Sequence, residues 1–322
     1  MRGAERGRDS ALRTRAQRGK ILGHFLQLFT NGIHLGSIYA LIALGYTMVY
    51  GVLRLINFAH GDVYMLGAFV GLLVGPALGA GRQPSLGLML GLLFVSMAAC
   101  ALVGLLIERL AYRPLRRAPR LTALITAIGV SLLLENLVQL LFGADPKFYP
   151  EIVPSRALVD TPSLTLRSEE VTITLVAFAL MAVLWYIVTR TRIGRAMRAV
   201  SFDREAASLM GINSDTVIAF TFALGSALAG AAGLLYPALS RTKVDPFMGI
   251  MPGLKAFVAA VLGGIGSIPG AMAGGLLMGL AEYAVVGFGG STYRDAAAFV
   301  ILILVLLARP AGLFGRAVPE KV

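Results

Sequence analysis

Residues that do chemistry are scarce in this chain, which holds one cysteine and three histidines among 322 residues. Cys100 lies inside an apolar run without a partner, which excludes a disulfide framework and a thiolate metal site. Neither H-E-x-x-H nor G-x-S-x-G nor a cysteine–histidine cluster occurs, so a hydrolase has no visible catalytic constellation. A P-loop is missing as well: Gly19-Lys20 is followed by Ile21, and no G-x-x-x-x-G-K-[ST] exists to cradle nucleotide phosphates. The chain is therefore expected not to be an enzyme by itself, with no metal and no cofactor of its own. Charge is thin too, at 14% of residues, and acids are outnumbered 17 to 29 by Lys and Arg.

Apolar residues fill the space, at 57% of the chain. Runs near membrane-spanning length recur near residues 22 to 50, 62 to 79, 85 to 107, 121 to 142, 171 to 189, 215 to 239, 250 to 265, 268 to 288 and 293 to 308. Most can cross as helices, since about 20 residues at a rise of about 1.5 Å cover a hydrocarbon core of roughly 30 Å. The expected fold is an all-α, polytopic transmembrane helical bundle of about eight or nine spans, with a short or broken helix near 250 to 265. The first run continues to about residue 50 without an A-x-A cleavage pattern, so it reads as a retained span and not a signal peptide.

The net charge of +12 is topological, not a nucleic-acid stripe. Twenty of the 29 basic residues fall in the N-terminal tail, residues 109 to 120, residues 190 to 204 and the C-terminal tail. Both internal Arg clusters, Arg109/Arg113/Arg116/Arg117/Arg120 and Arg190/Arg192/Arg195/Arg198/Arg204, should face the cytoplasm by the positive-inside bias. Two spans separate them, which leaves residues 143 to 170, with four prolines and five acids against three basic residues, outside. Parity to the tail carrying Arg309 and Arg316 requires residues 250 to 265 to complete a crossing, giving nine passes with one short. Backward counting puts residues 1 to 20 outside despite seven basic residues there. Either residues 62 to 79 fail to cross, or the basic tail is tolerated outside, or translation starts downstream of Met1. The organisation is then a basic tail (1 to 20), one membrane unit (21 to 310) and a C-terminal tail (311 to 322). The membrane unit carries an external segment (143 to 170) and a cytoplasmic loop (190 to 214).

That loop reads RTRIGRAMRAVSFDREAASLMGINS and holds the strongest functional signal. Asp203 suits an N-cap, Glu205 sits in the first turn where the helix dipole favours an acid, and Gly211 suits the C′ position. The expected helix has about two turns. Ala206, Leu209 and Met210 share a face, with Ala207 beside them, and Arg198 and Arg204 can flank a partner's groove. An amphipathic helix lying on lipid headgroups has the same local pattern.

Within the spans, ionisable and helix-breaking residues are the other candidates. Glu135 with Asn136 lies in the span of residues 121 to 142, and Glu282 lies in that of 268 to 288, with Lys255 as its possible partner. Structural interhelical contacts are the alternative role for these groups. Asn57, His60 and Asp62 sit in a polar run that is either a solvated loop or a structured helix break beside the pathway. Gly263, Gly264 and Gly266, followed by Pro269 and Gly270, cannot continue a helix comfortably, so this break either borders the pathway or turns the chain between two helices. His34, near Asn31 and Gly32, reads as a bundle-facing or interfacial polar group. Gly71/Gly75/Gly79, Gly270/Gly274 and Gly275/Gly279 offer close-packing faces. Leu35-Gly36-Ser37-x-x-Ala40 echoes Leu224-Gly225-Ser226-x-x-Ala229, a similarity near chance in Gly/Ala-rich spans.

Glu205-Ala206-Ala207-x-x-x-Gly211 resembles the EAA-x-x-x-G signature by which permease subunits of bacterial ATP-binding-cassette importers engage their ATPases. The fuller motif's I-x-L-P half is absent, since Thr221-Phe222-Ala223-Leu224 stands there. More specific are NGIHLGSIYALIALGYTMVYGVLRLINFAHGD (31 to 62), ERLAYRPLRR (108 to 117), GRAMRAVSFDREAASLMGIN (194 to 213) and MPGLKAFVAAVLGGIGSIPGAMAGGLLMG (251 to 279). In that order they resemble the H-type permease subunit of the Liv family of high-affinity branched-chain amino acid importers, over roughly residues 25 to 315. The resemblance implies a multi-pass protein of the bacterial inner membrane. It implies a second homologous permease, two cytoplasmic ATPases binding ATP and Mg, and an extracytoplasmic substrate-binding protein as partners. Amino acid, membrane lipid and no nucleic acid complete the expected contacts. Urea or a short amide is the alternative cargo within the family, and a stand-alone secondary transporter or channel using Glu135, Glu282 and Lys255 is the alternative outside it.

Overall fold

The computed structural model describes residues 2–116, 118–309 and 311–315, with side chains from residue 21 onward except that of Arg120. The basic side chains of the N-terminal tail, and Arg117, Arg120, Arg316 and the C-terminal seven residues, thus lie outside what is described.

Eleven helices appear among the described residues, in the order α1 (Arg2–Leu53), α2 (His60–Val74), α3 (Leu86–Ile107), α4 (Arg120–Phe142), α5 (Ser168–Arg190), α6 (Arg192–Phe202), α7 (Arg204–Leu209), α8 (Ser214–Ser240), α9 (Ile250–Gly263), α10 (Ile268–Gly287) and α11 (Arg294–Ala308). Polar caps begin several of them where an apolar run meets a loop. Ser85 Oγ accepts from Leu88 N–H (3.2 Å), Asn213 Oδ1 from Thr216 N–H (3.1 Å) and Ser267 Oγ from Gly270 N–H (3.2 Å). Seven helices are long and apolar enough to cross a membrane, while α2 and α9 are apolar but shorter. Two short apolar helices thus stand where one short or broken helix was expected. Near Arg54 and Arg241 the chain breaks in the mixed stretches between apolar runs, and each break is followed by one of these short helices.

Helices α1 and α8 form the centre: 89% and 72% of their apolar windows are buried, against 6% for α11. Lipid-facing leucines account for the rest, because in hydrocarbon an apolar outer surface carries no penalty. Small residues let the central pair approach, and Gly45 of α1 stands against Gly225 of α8. Helix α1 then packs most extensively on α10, where Gly36 meets Gly275 and Leu276, and α8 on α3, where Gly230 meets Ser96 and Cys100. Gly270 and Gly274 face Gly263 and Ala259 of α9. The repeat of Gly71, Gly75 and Gly79 is not such a face: α2 ends at Val74, and Gly79 adopts φ 96° with open space around it.

The two central helices end alike. Arg54 and Arg241, neither a glycine, take φ 55° and 49°; each is followed by an irregular stretch and a short apolar helix, α2 or α9. Those short helices touch where Gly61 packs against Gly249 and Gly253. The echo Ser37/Ser226 therefore falls within two units of the same make: long helix, left-handed arginine, irregular segment, short helix.

One face of the bundle carries a small β layer. Strand β1 (Lys147–Phe148) pairs antiparallel with β4 (Lys243–Val244), and β2 (Ala157–Thr161) with β3 (Leu164–Arg167). Gly23 of α1 abuts Ser163 in the second hairpin, so α1 begins on this face, called outer below for its expected side. The break after Leu53 and Gly71's contact with Tyr149 return α2 to the same face. The start of α1, at residues 21 to 23, thus lies on the side of residues 143 to 167, with α1, α2 and α3 between it and Arg109. Helices α6 and α7 follow the far end of α5, at the opposite face, called inner below for its expected side.

Candidate functional site

The inner loop folds as two short helices and not one. Thr191 Oγ1 accepts from Gly194 N–H (3.2 Å) to start α6, whose Gly194, Met197 and Val200 are buried. Asp203 ends that helix and starts the next, its Oδ1 accepting from Glu205 and Ala206 N–H at 2.9 Å each. Helix α7 stops as Gly211, at φ 80°, donates its N–H to Ser208 O (3.0 Å) and Ile212 N–H reaches Ala207 O (3.0 Å). That left-handed exit favours glycine over any residue with a Cβ. Ala207 is the one buried residue of α7, with Arg204 half-buried; Phe202, Leu209 and Met210 are 90%, 89% and 82% exposed. Three large apolar side chains thus stand exposed on a charged loop. Glu205 and Ala206 are exposed beside them.

Arg198 does not flank this face as expected. Its guanidinium donates to Val188 O at the end of α5, an open carbonyl that a cation near a helix C-terminus satisfies. Arg204 stands instead near Arg116 and Asp215, and burial, then Arg116, push its pKa below the ordinary arginine range. Asp215, in the first turn of α8, accepts from Arg113 (2.8 Å) and from Arg116, whose other terminal nitrogen meets the buried Glu108. Glu108 opens a π-type turn of residues Glu108–Tyr112. In the sequence, Arg113 and Arg116 show only as topological charge. The signal that could have found their role is an acid, Asp215, just after the α7 exit and matched to a basic loop.

Buried charge also gathers between α9, α10 and α11. Glu282, fully buried, accepts from Arg294 Nε at Oε2 (2.6 Å), and Lys255 Nζ lies 3.0 Å from Oε1. Lys255 also donates to Asp295 (2.6 Å), so four charges alternate in sign. Lys255 and Glu282 are thus brought together, within a larger network that the sequence did not display.

The polar break places its residues in helix contacts. Asn57 Oδ1 accepts from Tyr112 (3.1 Å), His60 lies edge-on to Tyr46 at 4.7 Å, and Asp62 accepts from Ser131, with Glu135 adjacent. Asn136 is exposed and donates to Leu132 O on its own helix (2.7 Å), bonding to none of these residues. Gly263, Gly264 and Gly266 make the turn between α9 and α10, with φ 98° at Gly264 and 94° at Gly266.

An inner cavity of about 900 Å³ is lined by Thr47 and Tyr50 of α1, Arg54 just after it, Val188 of α5, Met197 and Arg198 of α6, and Gly266 and Ile268. Gly266 therefore turns the chain and also borders this cavity. An outer cavity of about 320 Å³ lies among Asn31, His34 and Leu35 of α1, Glu170 of α5, Tyr236, Leu239, Ser240 and Thr242 around the end of α8, Tyr283 and Arg294. None of Asn57, His60, Asp62, Glu135, Lys255 or Glu282 lines either cavity. Between the two, every residue of α1 from 36 to 46 is buried. The cavities open at opposite ends of α1, α5 and α10, with a closed section between.

Residues 28–308 match the family described as branched-chain amino acid transport system / permease component. The chain is 44% identical over 303 residues to the high-affinity branched-chain amino acid transport system permease protein LivH of Salmonella typhimurium, covering 93% of this chain and 98% of the relative. It is 45% identical over 303 residues to BraD of Pseudomonas aeruginosa, a permease protein of the same description, with the same coverage. A probable branched-chain amino acid transport permease protein LivH of Methanocaldococcus jannaschii is 29% identical over 294 residues, 87% of this chain and 89% of the relative. No solved structure matches.

Proposed function

The chain belongs to the family of branched-chain amino acid transport permease components, and from that premise we propose that it is the membrane permease of an ATP-binding-cassette importer moving branched-chain or related aliphatic amino acids across the bacterial inner membrane. The family is one of membrane permeases, not enzymes, so the energy enters from elsewhere. In this reading two ATPase subunits hydrolyse ATP, a second homologous permease completes the membrane unit, and an extracytoplasmic binding protein delivers the cargo at the outer face.

One observation carries the coupling: a short helix capped by Asp203 and Gly211, with Ala207 buried and Phe202, Leu209 and Met210 free to enter a partner's groove. When the ATPases approach one another they carry α7 with them. Arg116, bonded to both Asp215 and Glu108, ties the root of α8 to the end of α3, so that a shift of α7 moves both helices together. Helix α8 crosses α1 at Gly225 and Gly45, in the closed section between the two cavities. Opening one cavity while closing the other is then a rocking of packed helices about that crossing.

Co-purification tests this directly. Gly211→Pro removes an N–H donor and forbids φ 80°, and Leu209→Ser removes an exposed apolar anchor. Both should leave the permease in the membrane while the ATPases no longer co-purify with it. Undiminished co-purification with both variants contradicts docking through α7.

A further inference from the structure

The outer cavity carries a charge pattern that helix packing does not require; its role in transport rests on the permease assignment proposed for the chain. Its volume, about 320 Å³, falls at the lower end of the roughly 300–1,000 Å³ of small-molecule sites. At one side stands Arg294, 31% exposed. Its Nε is held 2.6 Å from Glu282, and its guanidinium carbon lies 5.2 Å from the Tyr283 ring centroid. Its two terminal nitrogens make no hydrogen bond among the described residues. A guanidinium fixed in this way offers open N–H donors to a carboxylate.

Glu170 lines the same cavity. One of its oxygens accepts from Arg167 N–H (3.0 Å), which anchors the side chain, and the other has no partner among the described residues. His34 is 8% exposed, with Nδ1 2.6 Å from Thr174 Oγ1, yet its Nε2 is buried without a partner, as is Thr242 Oγ1. Buried polar atoms ordinarily find partners, so two orphans in one cavity mark a missing one. Leu35 and Leu239 supply an apolar wall.

We infer that the outer cavity is a subsite for a free zwitterionic, aliphatic α-amino acid. Its carboxylate meets Arg294, its ammonium meets Glu170, and its side chain lies against Leu35 and Leu239. His34 and Thr242 bond its polar end. The site sits at the outer end of α1, whose buried middle separates it from the inner cavity, so it receives the amino acid before the bundle switches. An ethanolamine phosphate headgroup offers the same pair of charges, and the test separates the two sources.

The experiment uses the full transporter in lipid discs free of phosphatidylethanolamine, with Cys100→Ala and a reporter Ser240→Cys at the cavity rim. Asn31→Cys is the second reporter, and either is used only where leucine uptake is retained. Alkylation by an impermeant maleimide is timed without the binding protein. Leucine at about ten times its Kd should slow the reaction about tenfold, since only the free fraction reacts. The analogues 4-methylpentanoate, lacking the ammonium, and isopentylamine, lacking the carboxylate, should not protect, nor should phosphoethanolamine. Glu170→Gln keeps the bond to Arg167 N–H but loses the charge, and should raise the leucine needed for half-protection about tenfold. Arg294 is left intact because its loss would also strip Glu282 of a partner. Equal protection by all four compounds, or by none, overturns the subsite, and preferential protection by phosphoethanolamine reassigns it to lipid. ATP-driven leucine uptake persisting without protection sinks the subsite alone; absent uptake with every partner present sinks the permease reading beneath it.

Discussion

Glu282 meets more positive charge than Lys255 alone supplies, and this sets how its neighbours respond to substitution. Breaking an isolated buried pair costs roughly 3–5 kcal/mol. Lys255→Met should cost less, about 2 kcal/mol, because Arg294 still holds Glu282 at Oε2. Glu282→Gln should lower uptake without abolishing it, and uptake should still require ATP. Joined to Lys255→Met it should recover part of the lost stability, since no carboxylate is then left half-paired. Thermal unfolding of the three variants in detergent, alongside uptake, checks this; a Glu282→Gln protein with normal ATPase coupling and no uptake contradicts the structural role. Lys255 and Glu282 are legible as a pair because ionisable groups within apolar text are conspicuous. Arg294 and Asp295 are not, since they stand at a span edge where charge is ordinary. Asn136 is equally conspicuous as a mid-span amide, and its donor is satisfied on its own helix at Leu132 O.

Among the elements, α7 is the most legible, because both of its ends depend on residue types with local, specific jobs: an aspartate cap and a glycine exit. The break after Phe202 follows from the same cap, because Asp203, legible as an N-cap, closes α6 as it opens α7. Least legible are the ends of α1 and α8. Nothing in Arg54 or Arg241 announces a positive φ, which non-glycine residues adopt rarely and only where the surroundings enforce it. The latch at Asp215 belongs to this scale. Asp215→Asn weakens Arg113 and Arg116 together, so it should leave the ATPases bound but lower uptake relative to ATP hydrolysis. Measuring both rates in reconstituted transporter decides it, and an unchanged ratio of uptake to hydrolysis contradicts the latch.

For the molecule as a whole, the helical membrane class follows from apolar run length alone, and the family from blocks of text around the α7 signature. The arrangement into two matching units does not, because the Ser37 and Ser226 echo is short and the contacts that give it meaning, Gly45 with Gly225 and Gly61 with Gly249, join residues far apart in sequence. Sidedness is directly measurable. In a Cys100→Ala background, Ala157→Cys in the outer hairpin should react with an impermeant thiol reagent in intact cells, and Ala118→Cys in the inner basic loop should not. The opposite pattern inverts the topology. The central claim is that the two cavities are alternately opened by ATPases acting through α7. The measurement that tests it most directly is leucine uptake into proteoliposomes holding this chain, the second permease and the ATPases, supplied with loaded binding protein. Uptake should require ATP inside with the ATPases and should ignore imposed proton or sodium gradients; uptake that follows such a gradient with this chain alone would contradict the account.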